Sequence, residues 1–134
     1  MTMKTKSFEE ILHKIQKVHF EEDFDMIVAI ANGGIIPAAI LNQRLDLPMY
    51  LLQISLRDSD HKPIHNYPIL KSPIDFDFKD KNILLVEDRV KSGKTMEYAI
   101  ELLEEAKLVR TLAVNGSADY SIYNEACFKF PWII

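Results

Sequence analysis

Four short apolar runs, at residues 25–30, 48–54, 82–86 and 108–114, alternate with segments whose apolar residues recur at helical spacing. This alternation limits the fold more than any other feature. Each run is too short for a buried helix and too uniformly apolar for a strand with one wet face, so each reads as a strand covered on both sides. Strands alternating with helices predict an α/β fold, a parallel sheet flanked by helices and joined by right-handed crossovers. In such sheets ligands collect outside the carboxyl ends of the strands.

The intervening segments carry helix signals. Ser7-Phe8-Glu9-Glu10 has the form of a capping box, with the serine oxygen serving a free amide and Glu10 reaching back. Phe8, Ile11, Leu12, Ile15 and Val18 continue it as an amphipathic helix over about 7–20. Residues 35–45 form a second helix, with Pro37 in the first turn, where no intrahelical donor is needed. Residues 94–107 form a third, turning Met96, Ala99, Ile100, Leu103 and Ala106 inward and Glu97, Glu101, Glu104 and Glu105 outward. Between 55 and 81 the periodicity dissolves into prolines, histidines and charges. A segment of that length is expected to be a lid or binding loop, and a short hairpin fits inside it. Residues 115–134 form an irregular aromatic tail.

Composition closes off several classes. The 134 residues suit one domain. Sixteen basic against 20 acidic side chains give a formal charge of −4 with no basic block, which argues against a nucleic-acid partner. Cys127 is the lone cysteine, and four scattered histidines lack zinc-ligand spacing. The N-terminus runs from lysines straight into acidic residues without an apolar signal region, and no run nears the length of a membrane span. A cytoplasmic location with no membrane partner is the expectation. The chain has four glycines where average usage would supply roughly nine.

Three of those glycines sit at two strand ends. After the third apolar run come Glu87-Asp88-Arg89-Val90-Lys91-Ser92-Gly93-Lys94-Thr95. Two adjacent carboxylates are followed by a short loop that opens a helix, whose free amides and positive dipole end suit a phosphate. Gly93 lets backbone approach closely, Ser92 and Thr95 add hydroxyls, and Lys91 and Lys94 add positive charge. Gly93-Lys94-Thr95 matches the end of a Walker A loop, but that pattern needs glycine at 88, where an aspartate would repel nucleotide phosphates. Adjacent carboxylates beside a phosphate nest suit a sugar phosphate, either accepting from vicinal hydroxyls or holding Mg²⁺ directly or through water. Gly33-Gly34, at the end of the first run, offers a second close backbone approach at a helix start.

The stretch from Ile83 to Thr95 resembles the PRPP-binding motif of the type I phosphoribosyltransferases. Residues 27–38, around Asn32-Gly33-Gly34, resemble the pyrophosphate loop of that family, most closely of its xanthine-guanine type. Asp119-Tyr120 and Phe130-Pro131-Trp132 are similar to the hood segment of purine-type members. The resemblance spans about 26–132 and implies a core over about 7–114, a lid over about 55–81 and a hood over about 115–134. It implies that Glu87, Asp88, Lys91, Ser92, Gly93, Lys94 and Thr95 bind PRPP, with Glu87 and Asp88 also the metal ligands and Mg²⁺ the cofactor. Asn32, Gly33 and Gly34 would bind pyrophosphate, with a cis peptide near Asn32-Gly33. The partners implied are PRPP and a small heterocyclic base, within a homodimer.

Three positions depart from the purine pattern. Lys91 stands where purine members carry an aspartate for the base. Asn115 is the nearest equivalent of the lysine with which purine members read the 6-oxo group. The stacking aromatic falls on Cys127, with Phe128 beside it. Asn115, Phe128 and Trp132 are therefore the candidate nucleobase and hood residues, and Lys91 and Arg57 the candidate catalytic cations, with Lys62 and Lys71 as further lid cations. The implied reaction is attack of a base nitrogen on C1 of PRPP with loss of pyrophosphate. The alternative is a PRPP or nucleotide sensor that has lost base chemistry. A phosphatase or kinase reading lacks both a nucleophilic aspartate after the first strand and a full P-loop.

Overall fold

A computed structural model describes residues 4–55 and 68–133. The elements run β1 (Lys4–Thr5), α1 (Phe8–Lys17), β2 (Met26–Ala31), α2 (Ile35–Leu45), β3 (Met49–Ser55), β4 (Ile69–Leu70), β5 (Asn82–Arg89), α3 (Lys94–Leu102), β6 (Leu108–Asn115), β7 (Tyr120–Tyr123) and β8 (Phe128–Lys129). Six strands form one sheet in the order β4-β3-β2-β5-β6-β7, with β4 alone antiparallel to its neighbour. The alternation of apolar runs and helices thus becomes the mostly parallel, helix-flanked sheet it predicts.

Alternate residues of the central strands feed two cores. Ile27, Ala29, Leu84 and Val86 point to one face and pack with Ile11 and Ile15 of α1 and Ala38 and Leu41 of α2. Met26, Val28, Ile30, Ile83 and Leu85 point to the other and pack with Met96 and Ala99 of α3 and with Leu103 just after it. The helices lie on opposite faces because the winding reverses. From β2 the chain steps outward through α2 to β3, then returns to β5 on the far side of β2 and continues through α3 to β6. With right-handed crossovers, opposite directions of travel put the helices on opposite faces. The reversal lies between β2 and β5, so the crevice beyond their carboxyl ends is the natural ligand site.

Several local outcomes differ from the sequence reading. Ser7 caps α1 by accepting from the Glu10 amide at 3.1 Å. The Glu10 carboxylate, however, accepts from the Tyr123 hydroxyl at 2.5 Å, a bond that lowers its pKa, so it serves a tertiary contact. Helix α3 stops at Leu102 because the chain must return beside β5, and the amides of Lys107 and Leu108 donate to the Lys81 carbonyl at 2.9 and 3.3 Å. Repeated glutamates at helical spacing, Glu97, Glu101 and Glu105, also disfavour extending it. Within the expected lid, 56–67 lie outside the described residues, but Ile74, Phe76 and Phe78 pack against the α3-side core. Strand β4 pairs antiparallel not with a second strand inside the segment but with β3, which precedes it.

Strand β7 pairs parallel to β6 although only residues 116–119 separate them, far fewer than the dozen a parallel crossover usually takes. Paired bonds hold the return. Asp119 Oδ2 accepts from the Thr111 amide at 2.9 Å and its hydroxyl at 3.1 Å, and the Asp119 amide donates to Thr111 Oγ1 at 2.9 Å. The tail then reaches β8, which pairs parallel with β1 at Lys4↔Phe128 and Thr5↔Lys129. Among the described residues no helix is long and apolar enough to cross a membrane.

Candidate functional site

Strand β5 does not end at Val86. It continues to Arg89, pairing Glu87 with Ala113 and Arg89 with Asn115 of β6, so the acidic pair is fixed by the sheet. The Asp88 amide donates to Glu87 Oε1 at 3.0 Å, and the Arg89 amide donates to Asp88 Oδ1 at 2.6 Å. Burial, with the Asp88 carboxylate beside it, pushes the Glu87 carboxyl up to about 9. Two acids held this close with little water favour one shared proton or a bound cation.

Beyond the pair the loop opens to solvent. Lys91 and Ser92 are exposed, and Ser92 Oγ accepts from the Lys94 amide at 3.3 Å. Gly93 caps α3 with φ +83°, a left-handed turn that glycine accommodates, and Lys94 and half-buried Thr95 begin the helix. The start of α3, at Lys94 and Thr95, is where the sequence reading expects an anion.

The second loop folds against the first. The Ala31–Asn32 peptide is cis, one bond before the expected place. The Gly34 amide donates to Ile30 O at 2.8 Å, and Ile35 starts α2 by donating to Asn32 O at 3.1 Å. A Cβ on Gly33 would lie 2.5 Å from Asp88 Oδ1, and a Cβ on Gly34 would lie 2.3 Å from Val86 O. The two glycines are therefore what allows the β2 loop to rest on the end of β5. Asn32, Gly33 and Gly34 come together with Glu87 and Asp88 at the point of winding reversal.

The candidate base residues are placed differently. Asn115 is buried, and its amide is occupied at both ends: Nδ2 donates to Glu125 O at 3.2 Å and Oδ1 accepts from Glu125 N at 3.0 Å. Phe128 is a core residue, edge-on to Tyr123 and Phe130 at 5.2 Å each. Trp132 is half-buried and stacks on Phe130, with centroids 4.9 Å apart and planes 8° apart. Cys127 is exposed. Arg57, with His61 and Lys62, lies outside the described residues, whereas Lys71 is exposed.

Sequence reasoning passed over Arg89. Its Nη2 donates to Phe128 O at 2.5 Å, and its guanidinium lies 4.6 Å from the Phe130 centroid. A cation directly after two acids on an apolar strand was the available signal, but it does not say which distant element the side chain meets.

A family model described as the phosphoribosyl transferase domain matches residues 3–117. The chain belongs to this family. Among its relatives are the xanthine-guanine phosphoribosyltransferases of Chromohalobacter salexigens, 34% identical over 84% of this chain and 70% of that protein, and of Vibrio atlanticus, 31% identical over 83% and 73%. The crystal structure of a purine phosphoribosyltransferase from Pyrococcus horikoshii superposes with a TM-score of 0.82 at 27% identity, over 98% of this chain and 94% of that one. The chain is thus a type I phosphoribosyltransferase related to the purine-type members, with the corresponding fold.

Members of this family use Mg²⁺ with PRPP, and the donor set here fits that ion. Two carboxylates with no third acidic or imidazole ligand among the described residues cannot form an all-protein cage. They suit an ion that keeps its waters and arrives on substrate oxygens. Burial and the neighbouring Asp88 carboxylate both raise Glu87, and a cation there would offset both.

Proposed function

We propose that the protein is a PRPP-dependent phosphoribosyltransferase that transfers the 5-phosphoribosyl group to a nucleobase, a purine in the first instance, with release of pyrophosphate. One observation carries the reading: Gly33 sits against the Asp88 carboxylate, which joins an anion-binding loop and an acidic pair into one site. A molecule with a diphosphate and vicinal hydroxyls on adjacent carbons meets both halves at once. Family membership and the xanthine-guanine relatives support the substrate class.

In this reading the amides of Ser92 to Thr95 hold the 5-phosphate at the start of α3, and Glu87 and Asp88 hold the ribose hydroxyls. Glu87 and Asp88 are also the residues that would hold Mg²⁺, which when bound neutralises charge on the diphosphate. Asn32 to Gly34 orient the diphosphate for departure, with Lys91 and Arg57 as countercharges. A nitrogen lone pair of the base forms a bond to C1 as the C1–O bond breaks. Pyrophosphate leaves with that electron pair, and the proton on the attacking nitrogen passes to solvent. The outward Ile36 of α2 and Leu51 of β3, both exposed, support assembly as a homodimer.

A second reading, a PRPP or nucleotide sensor, is favoured by one fact. The amide of Asn115 and the ring of Phe128 are both consumed in holding the hood together. Titration calorimetry with PRPP and Mg²⁺, followed by a base panel monitored for pyrophosphate, separates the two. Pyrophosphate release with any base establishes the transferase. Saturable binding without turnover establishes the sensor, and no binding at millimolar PRPP overturns both.

A further inference from the structure

The acidic pair and the hood belong to different segments of the chain, Arg89 and Phe128 being 39 residues apart, yet one side chain spans them. Arg89 lies directly beyond the pair, with its amide bonded to Asp88 Oδ1 at 2.6 Å. Its other end reaches the hood, where Nη2 donates to Phe128 O at 2.5 Å and the guanidinium sits over Phe130, which is itself stacked on Trp132. Arg89 Nε is buried and has no hydrogen-bond partner among the described residues, so the side chain is held by the ring and the carbonyl. Beside it the Val90 amide donates to Asn115 O at 2.9 Å, and Asn115 in turn holds the Glu125 backbone. The end of β5 is thus tied to the hood at consecutive residues.

We propose that Arg89 is a positioning residue for the acceptor. By bonding Phe128 O while resting on Phe130, it sets the separation of the hood from the Glu87–Asp88 pair, and so the placement of a base against the sugar carbon. This rests on the transferase reading. Arg89 is not required to touch either substrate, because it acts through the Phe128 to Trp132 segment. Lysine cannot replace it fully: a compact ammonium reaches the carbonyl or the ring, whereas the planar guanidinium engages both. Methionine keeps much of the apolar stem and loses both contacts.

The test compares wild type, Arg89→Lys and Arg89→Met. PRPP affinity is read by calorimetry with Mg²⁺, KM and kcat are read for guanine, hypoxanthine and xanthine, and amide hydrogen exchange is read at 128–130. In Arg89→Met the KM for the base rises at least tenfold, PRPP affinity stays within threefold and exchange at 128–130 accelerates, with Arg89→Lys intermediate in all that changes. An unchanged base KM in a folded Arg89→Met, or equal losses for PRPP and base, overturns the inference alone. If Arg89→Met does not fold, Arg89→Lys decides, and a wild-type base KM there overturns it. A wild-type protein that binds no PRPP overturns the transferase reading and this inference with it.

Discussion

Adjacent glycines just after β2 should fail in different ways when each is changed to alanine. At Gly34 the new methyl would lie 2.3 Å from Val86 O and 2.9 Å from Ile30 O. Nonbonded atoms pack at roughly 3.5 Å, so β2 and β5 would have to separate by about 1 Å, and neither obstacle is a side chain that can rotate away. Overpacking of this kind costs about 3 kcal/mol, which for a domain of this size lowers Tm by roughly 10–15 °C. At Gly33 the obstacle is the Asp88 carboxylate, 2.5 Å away, which can swing aside. It then loses its 2.6 Å bond from the Arg89 amide, worth about 1.5 kcal/mol, or roughly 5 °C. The carboxylate is displaced from the site, and PRPP affinity falls at least tenfold. Differential scanning calorimetry and PRPP titration read the two variants. A Gly34→Ala protein melting within a few degrees of wild type, or a Gly33→Ala protein binding PRPP normally, would refute the proposed packing of the two loops.

The remaining predictions concern pH, the β6–β7 return and the first helix. Because the Glu87 carboxyl is raised from 4.5 to about 9 in the fold, the folded protein holds a proton that the unfolded chain releases near pH 4.5. That contribution to stability is fully present below pH 4.5 and is lost as pH rises through 9. The ligand-free Tm should therefore decline from pH 5 to 9, and Glu87→Gln should flatten that decline; an identical slope in both would count against the buried acidic pair. Asp119→Ala strands the Thr111 amide and hydroxyl and should cost about 2–4 kcal/mol in urea unfolding, with Asp119→Asn milder. Ser7→Ala removes the acceptor for the Glu10 amide and should cost about 1 kcal/mol, without changing PRPP affinity.

What the sequence discloses is chemistry that lies close together along the chain. Apolar runs show where the sheet is, since a strand buried on both faces has no polar residues to hide. The loops are legible because glycine, hydroxyl and carboxylate must follow one another where backbone meets an anion. The hood is not legible in the same way. Asn115 reads as a free amide at a strand end, but its partner is the Glu125 backbone ten residues on. Phe128 reads as an exposed stacking ring, but β1 and Tyr123 draw it into the core. Arg89 follows two acids on an apolar strand, but nothing local says that it meets Phe128 and Phe130. Helix α3 stops early because its end must meet Lys81, a demand made by the sheet and invisible to helical periodicity.

The pairing of β1 with β8 has a consequence for how the molecule is completed. Lys4 and Thr5 find their partners at Phe128 and Lys129, almost the whole chain away. During synthesis the sheet from β2 to β6 can form before Phe128 is made, so β1 stays without its partner until β8 follows. Deleting Lys4–Thr5 or Phe128–Lys129 should therefore damage the same place, the β1–β8 pairing, and leave the sheet from β2 to β6 intact.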